Sequence, residues 1–220
     1  MIDLVKEAIQ RAADLGGPVV LILGAVSLVT LAVVIYKLWQ FAASGVGRHA
    51  ALRQAVEAWD AGDRAGARAA LDRSRSYLRP VIDMAMSGQR DAQRLEAEAE
   101  TRFARLEKGF RLLDSVAQLA PLLGLFGTVL GMISAFQALQ DAGSQVDPSI
   151  LAGGIWVALL TTAVGLVVAM PTAVILSWFE ARMEAERVLA ERAVHTILAP
   201  NGDAQRAPAR SSAEARPRHA

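Results

Sequence analysis

SVAQLAPLLGLFGTVLGMISAFQALQ, residues 115–140, and PSILAGGIWVALLTTAVGLVVAMPTAVILSWF, residues 148–179, contain no Asp, Glu, Lys, Arg or His. A helix needs about 20 apolar residues to cross a hydrocarbon core about 30 Å thick. Each stretch is longer, so both must tilt, bury part of their length in protein or project beyond the bilayer. Transmembrane helices are therefore expected at residues 114–140 and 150–179. The short link at 141–149, with Asp141, Gly143, Asp147 and Pro148, is expected to be an external (periplasmic) turn that folds them into a hairpin.

Working toward the N-terminus, residues 16–36 form another uncharged run, which gives a first span at 16–38. A cleaved leader would need a basic N-terminal region and a shorter apolar core. Here Asp3, Glu7 and Asp14 outweigh Lys6 and Arg11, so residues 1–15 are expected to be a periplasmic N-terminal segment. Basic residues crowd between the first and second spans, from Lys37 and Arg48 to Lys108 and Arg111. Arg182, Arg187 and Arg192 follow the third span, and the 140–149 link has none. Positive residues flanking spans stay cytoplasmic. The expected topology is a periplasmic N-terminus, a cytoplasmic segment at 39–113 and a cytoplasmic C-terminus. Trp39 and Trp178 suit the interfacial belt.

The 39–113 segment shows no strand alternation. Leu52, Val56 and Trp59 mark an apolar helical face, and turns are expected around Ala61, Gly62 and Asp63 and near Arg79 and Pro80. Leu95, Ala99, Phe103, Leu106, Phe110 and Leu113 recur at helical spacing, which predicts one long helix running from Gln89 into the second span. Residues 180–199 should form a matching cytoplasmic helix. Residues 200–220 have the composition of a disordered tail. The fold class is an all-α integral membrane protein whose second and third helices extend into the cytoplasm.

Helices in lipid associate by close packing, and small residues permit it. Ala120, Gly124, Gly127, Gly131 and Ala135 form one small-residue ridge. Gly154, Ala158, Thr162, Gly165 and Ala169 form another. These ridges can serve packing within the chain, packing between subunits, or a narrow pore. Thr162 lies on its ridge, while Thr161 is expected to point about 100° away, toward Val157, Val164 and Val168. Pro171 removes a backbone donor and should bend or weaken the third span.

The 23 Lys and Arg nearly balance the 22 Asp and Glu, so charge gives no reason to expect nucleic acid. The absence of Cys removes disulfides, thiolate metal sites and Cys nucleophiles. His49, His195 and His219 lack metal-ligand spacing and are expected to be solvated surface side chains. No phosphate loop or nucleophile motif occurs, so neither enzyme activity, metal nor cofactor is expected. With no ionisable group in the body of a span, the chain is not expected to pump protons alone. A secondary transporter is disfavoured by the absence of an inverted repeat.

The hairpin segments APLLGLFGTVLGMISAF (residues 120–136) and GGIWVALLTTAVGLVVAMPTAV (residues 153–174) resemble the second- and third-span signatures of the MotA/TolQ/ExbB proton-channel family. Three spans and a large cytoplasmic segment are similar to ExbB and TolQ, whereas MotA-like stator subunits have four spans. The resemblance implies a homo-oligomeric, pentameric ring around two single-span helices of an ExbD- or TolR-like partner. That partner supplies a proton-binding Asp, and the assembly drives a TonB- or TolA-like energy transducer at the outer membrane. It implies pore-lining roles for Thr128 and Thr162. Relatives often carry Glu where this chain has Val157, so no carboxylate is carried over to that position. The competing readings are a non-conducting oligomeric membrane scaffold and a flagellar-stator-like (MotA-type) subunit. An ExbB role and a TolQ role, and H+ and Na+, are not separated by these residues.

Overall fold

The computed structural model describes residues 2–141 and 148–201. Most of the expected turn at 141–149, nearly all of the expected tail at 200–220, and His219 lie outside them. The described secondary structure is helical: α1 (Ile2–Ser44), α2 (Ala50–Asp60), α3 (Arg64–Asp72), α4 (Arg79–Met86), α5 (Ala92–Glu107), α6 (Phe110–Asp141) and α7 (Pro148–Leu198). Three helical stretches, Gly17–Ser44, Phe110–Asp141 and Leu151–Leu198, are long and apolar enough to cross a membrane. The chain divides into two compact units, residues 1–37 with 109–179, and residues 38–108 with 180–220.

In the first unit α1 is interrupted at Gly17, whose φ of 66° and ψ of −168° are not helical. Pro18 disfavours helical backbone in the residue before it, and glycine alone takes positive φ without a Cβ clash. Val19, Leu23, Ala120 and Ala169 are buried together, with Val116, Leu123, Val164 and Val168 packed around them. Lys37 is 1% exposed, its ammonium 5.6 Å from the centre of the Phe110 ring, and Phe110 stacks on Phe179 with centroids 5.6 Å apart. The large apolar side chains Leu125, Phe126, Val129, Leu159, Val167 and Val174 point outward and are exposed. That is the pattern of helices that bury small residues against each other and offer large ones to lipid or to further protein.

The second unit is built from short helices with conventional stops and starts. α2 ends before Gly62, which has a φ of 83°, and Asp63 caps α3 by accepting from the Gly66 N–H at 2.8 Å. Asp91 caps α5 in the same way, accepting from the Arg94 N–H. Leu52, Leu71, Leu78, Ile82, Leu95, Phe103, Met183 and Val194 are all buried. The Trp59 indole N–H donates to the Ile197 carbonyl at 3.1 Å, and the Arg64 guanidinium covers its ring at 3.8 Å. Arg187 joins Glu100 at 3.2 Å and Glu107 at 2.8 Å. Burial pushes its pKa down, but these two carboxylates outweigh that and raise it.

One expectation is corrected. No single helix runs from Gln89 into the second span: α5 stops at Glu107 and α6 begins at Phe110. Lys108 leaves helical geometry with ψ 117°, and Gly109 follows with φ 105°. The apolar spacing of Leu106, Phe110 and Leu113 survives this break because all three stay buried. Periodicity alone therefore hides it.

Candidate functional site: the α6–α7 interface

The small residues of both ridges meet inside one chain. On α7 the buried stripe is Ala158, Thr161, Gly165, Ala169 and Thr172, and on α6 it is Ala120, Gly124, Gly127 and Ala135, with Gly131 partly buried. A Cβ on Gly165 would stand 2.6 Å from the Ala120 carbonyl oxygen and 3.1 Å from Gly124 Cα. One on Gly124 would stand 2.9 Å from the Thr161 carbonyl oxygen, and one on Gly154 would stand 2.3 Å from Ala135 Cβ. Gly127 faces Thr161, and Gly131 faces Ala158 at 3.2 Å. Backbone meets backbone here, which only hydrogen or a methyl group permits.

The two adjacent threonines are not divided as the spacing suggested. Thr161 does not point away from the ridge: it is 1% exposed and donates to the Ala158 carbonyl at 2.7 Å, with the Gly124 carbonyl 3.2 Å away. Thr162, half-buried, also reaches the Gly124 carbonyl at 3.3 Å. The physical reason is that 158–161–165 and 158–162–165 are both helical spacings, three then four or four then three. Thr128, half-buried, donates back to Leu125 at 2.6 Å, and Thr172 does the same to Val168 at 2.7 Å. α7 runs through Pro171 as one helix, and Pro171 is exposed. A second proline, Pro121, is accommodated inside α6.

A cavity of about 460 Å³ opens in this unit, lined by Pro18 and Val19 of α1, Gly131, Ser134 and Ala135 of α6, and Gly154, Val157 and Thr161 of α7. Among the described residues its lining has hydroxyls but no ionisable side chain. Val157 forms part of its wall.

The second unit holds a polar cluster that the sequence did not reveal. His49 is 3% exposed, correcting the expectation of a solvated side chain; the physical reason is a partner, Glu186, equally buried, with Nε2 2.5 Å from Oε2. The Tyr77 hydroxyl donates to Oε2 at 2.9 Å, the Gly47 N–H to Oε1 at 3.0 Å, and Arg182 lies 3.6 Å from Oε1. Burial alone pushes the Glu186 pKa up. The hydrogen bond and charge of His49, with Tyr77 and Arg182, outweigh it and hold the carboxyl below its usual range. Burial first, and the Glu186 charge second, push the Tyr77 phenol far above its ordinary value. His195 is exposed near Glu96.

Comparison with known proteins bears on the α6–α7 part of the first unit and on part of the second. The model of the MotA/TolQ/ExbB proton channel family matches residues 59–192. An ExbB-like biopolymer transport protein of Synechocystis sp. is 46% identical over 78 residues, 34% of this chain and 31% of the relative. The biopolymer transport protein exbB1 of Vibrio cholerae is 43% identical over 67 residues, 30% of this chain and 29% of its own. The Tol-Pal system protein TolQ of Pseudomonas aeruginosa is 35% identical over 113 residues, covering 50% of this chain and 48% of the relative. The chain spans less than half the length of each of these relatives.

Proposed function

The chain belongs to the MotA/TolQ/ExbB proton channel family, and we propose that it is the channel-forming subunit of an ExbB/TolQ-type motor in a bacterial inner membrane, driven by the proton-motive force. The observation that carries this reading is the α6–α7 interface: two family-matched helices in contact, with hydroxyls among small residues and no charge. Hydroxyls can hold water and relay a proton but cannot store one, so the titrating group must come from another chain. A single-span ExbD- or TolR-like subunit with an intramembrane Asp would supply it. Thr162 and Thr128, each only half-buried, are the side chains left to line that route. Thr161 is occupied within the hairpin.

In this reading the outward apolar faces of α6 and α7 pack against further copies in a pentameric ring. The N-terminus is periplasmic and the second unit is cytoplasmic, in keeping with the distribution of Arg and Lys. The work delivered is TonB- or TolA-linked, and the chain itself is not an enzyme. A scaffold that does not conduct is the second reading, favoured by Val157 in the cavity wall and by the carbonyl partners of Thr161, Thr162 and Thr128. Co-expression with such a partner decides between them. Native mass spectrometry is expected to show five copies with two of the partner, and Thr162→Val to reduce proton flux while that complex persists. A stable complex whose flux ignores Thr162 favours the scaffold, and a monomer that captures no partner overturns both.

A further inference from the structure

His49, Ser76, Tyr77 and Glu186 bring together three stretches far apart in sequence: the loop after α1, the segment before α4, and α7. With Nε2 only 2.5 Å from Oε2, two lone pairs would repel, so a proton lies between them and Nε2 is the donor. The Gly47 N–H, 3.1 Å from Nε2 and 3.0 Å from Oε1, is then left to the carboxylate. On the other side of the ring Nδ1 lies 3.0 Å from Ser76 Oγ, and this contact has two sound forms. The hydroxyl donates to a bare Nδ1 when the imidazole is neutral. A protonated Nδ1 donates to the hydroxyl oxygen when the ring is charged. A hydroxyl rotates between these without moving a heavy atom.

The pocket thus accepts both charge states of His49 in one geometry but not at one energy. Imidazolium completes a buried ion pair, whereas neutral imidazole leaves a buried carboxylate with neutral donors and the partly exposed Arg182. Other charged groups face the pair from α7 and α5. Arg182 and Arg187 come from α7 and both act on Tyr77. From α5, Arg102 is paired with Glu98 and reaches the Tyr77 carbonyl at 3.5 Å. Burial pushes the Glu186 carboxyl up, and His49 itself, with Tyr77 and Arg182, outweighs that and holds it below the usual carboxylate range. Imidazole is the side chain whose charge ordinarily changes between about pH 5 and 8.

We propose that His49 and Glu186 form a pH-responsive latch, closed by imidazolium and loosened when the ring loses its proton, that fastens the 45–49 loop to α7. Because α1 ends at Ser44, the latch governs how firmly the outgoing end of that helix is held within the second unit. This does not rest on proton conduction. If the chain is a proton channel with this unit in the cytoplasm, the latch makes cytoplasmic acidity an input.

Hydrogen exchange on the full chain in nanodiscs, from about pH 5.5 to about pH 8.5 and corrected for intrinsic exchange, reads the latch at the Gly47 amide. Protection is expected to be about tenfold higher at the acid end, the ratio for an ion-paired hydrogen bond giving way to one from a neutral donor. The step should vanish in His49→Gln and in Glu186→Gln, while the Gly66 amide at the α3 cap is unchanged. A flat wild-type profile, or the same step in His49→Gln, overturns the proposal. If His49→Gln fails to fold, spectra of the wild-type chain with 15N-labelled histidine decide instead. A histidine that changes charge together with Gly47 protection supports the latch, and none doing so overturns it.

Discussion

Gly165→Ala adds one methyl group at a point of the hairpin where backbone meets backbone. Its Cβ would lie 2.6 Å from the Ala120 carbonyl oxygen, 3.1 Å from Gly124 Cα and 3.3 Å from Gly124 N. All three are backbone atoms, so relief requires α6 and α7 to part, by roughly 0.5–1 Å. A gap of that size forfeits about a quarter to a half of the dispersion energy along the seam. Overpacking of this kind costs about 1–3 kcal/mol. Replacing glycine within a helix returns about 1 kcal/mol of propensity, leaving a net destabilisation of about 0–2 kcal/mol, and about 1–3 kcal/mol relative to an unhindered Gly→Ala change. Reversible unfolding in mixed micelles, titrated with SDS, measures it. Gly24→Ala is the control, because nothing lies within 4 Å of the position its Cβ would occupy, and it should be neutral or slightly stabilising. If Gly165→Ala is as well tolerated as Gly24→Ala, the reasoning about backbone contact is wrong.

Thr161→Val removes a hydroxyl donated to Ala158 and close to Gly124, and should destabilise the hairpin by about 0.5–1.5 kcal/mol in the same titration. Thr162→Val, with one contact at 3.3 Å, should cost less stability. Glu186 has a folded pKa below its unfolded value. Its contribution is therefore present above the unfolded pKa, near 4.3, and lost as pH falls through the folded one. Thermal unfolding should show an acid-side loss that Glu186→Gln reduces, and an identical pH profile for the two would contradict this. The topology is checked by cysteine labelling in intact cells: Ser144→Cys should react from outside, and Asp72→Cys, at an exposed site, only after permeabilisation.

The spans were legible because uninterrupted apolar runs have few alternatives in water-soluble folds. The cap at Asp63 and the turn at Gly62 could be read from residue type. The break at Lys108–Gly109 was hidden because the apolar residues on either side keep helical spacing, and the one signal was Gly109 itself. Thr161 and Thr162 fit the ridge equally well as a pattern and both reach the Gly124 carbonyl; only the packing of Thr161 against Gly127 on the facing helix, which buries it, separates them. The pairing of His49 with Glu186 left no local mark, because the partner lies on another helix far along the chain and nothing in the spacing of either residue points to it.

Proton flux after a pH jump, measured in liposomes, tests the division of labour most directly. The chain alone should leak little, because the hairpin runs 115–140 and 148–179 carry no ionisable side chain that can hold a proton in transit. Flux should appear when a single-span partner bearing an intramembrane Asp is reconstituted with it, and should be lost when that Asp is replaced by Asn. Robust flux from the chain alone, or flux indifferent to the partner's Asp, would contradict a pathway completed by a second subunit.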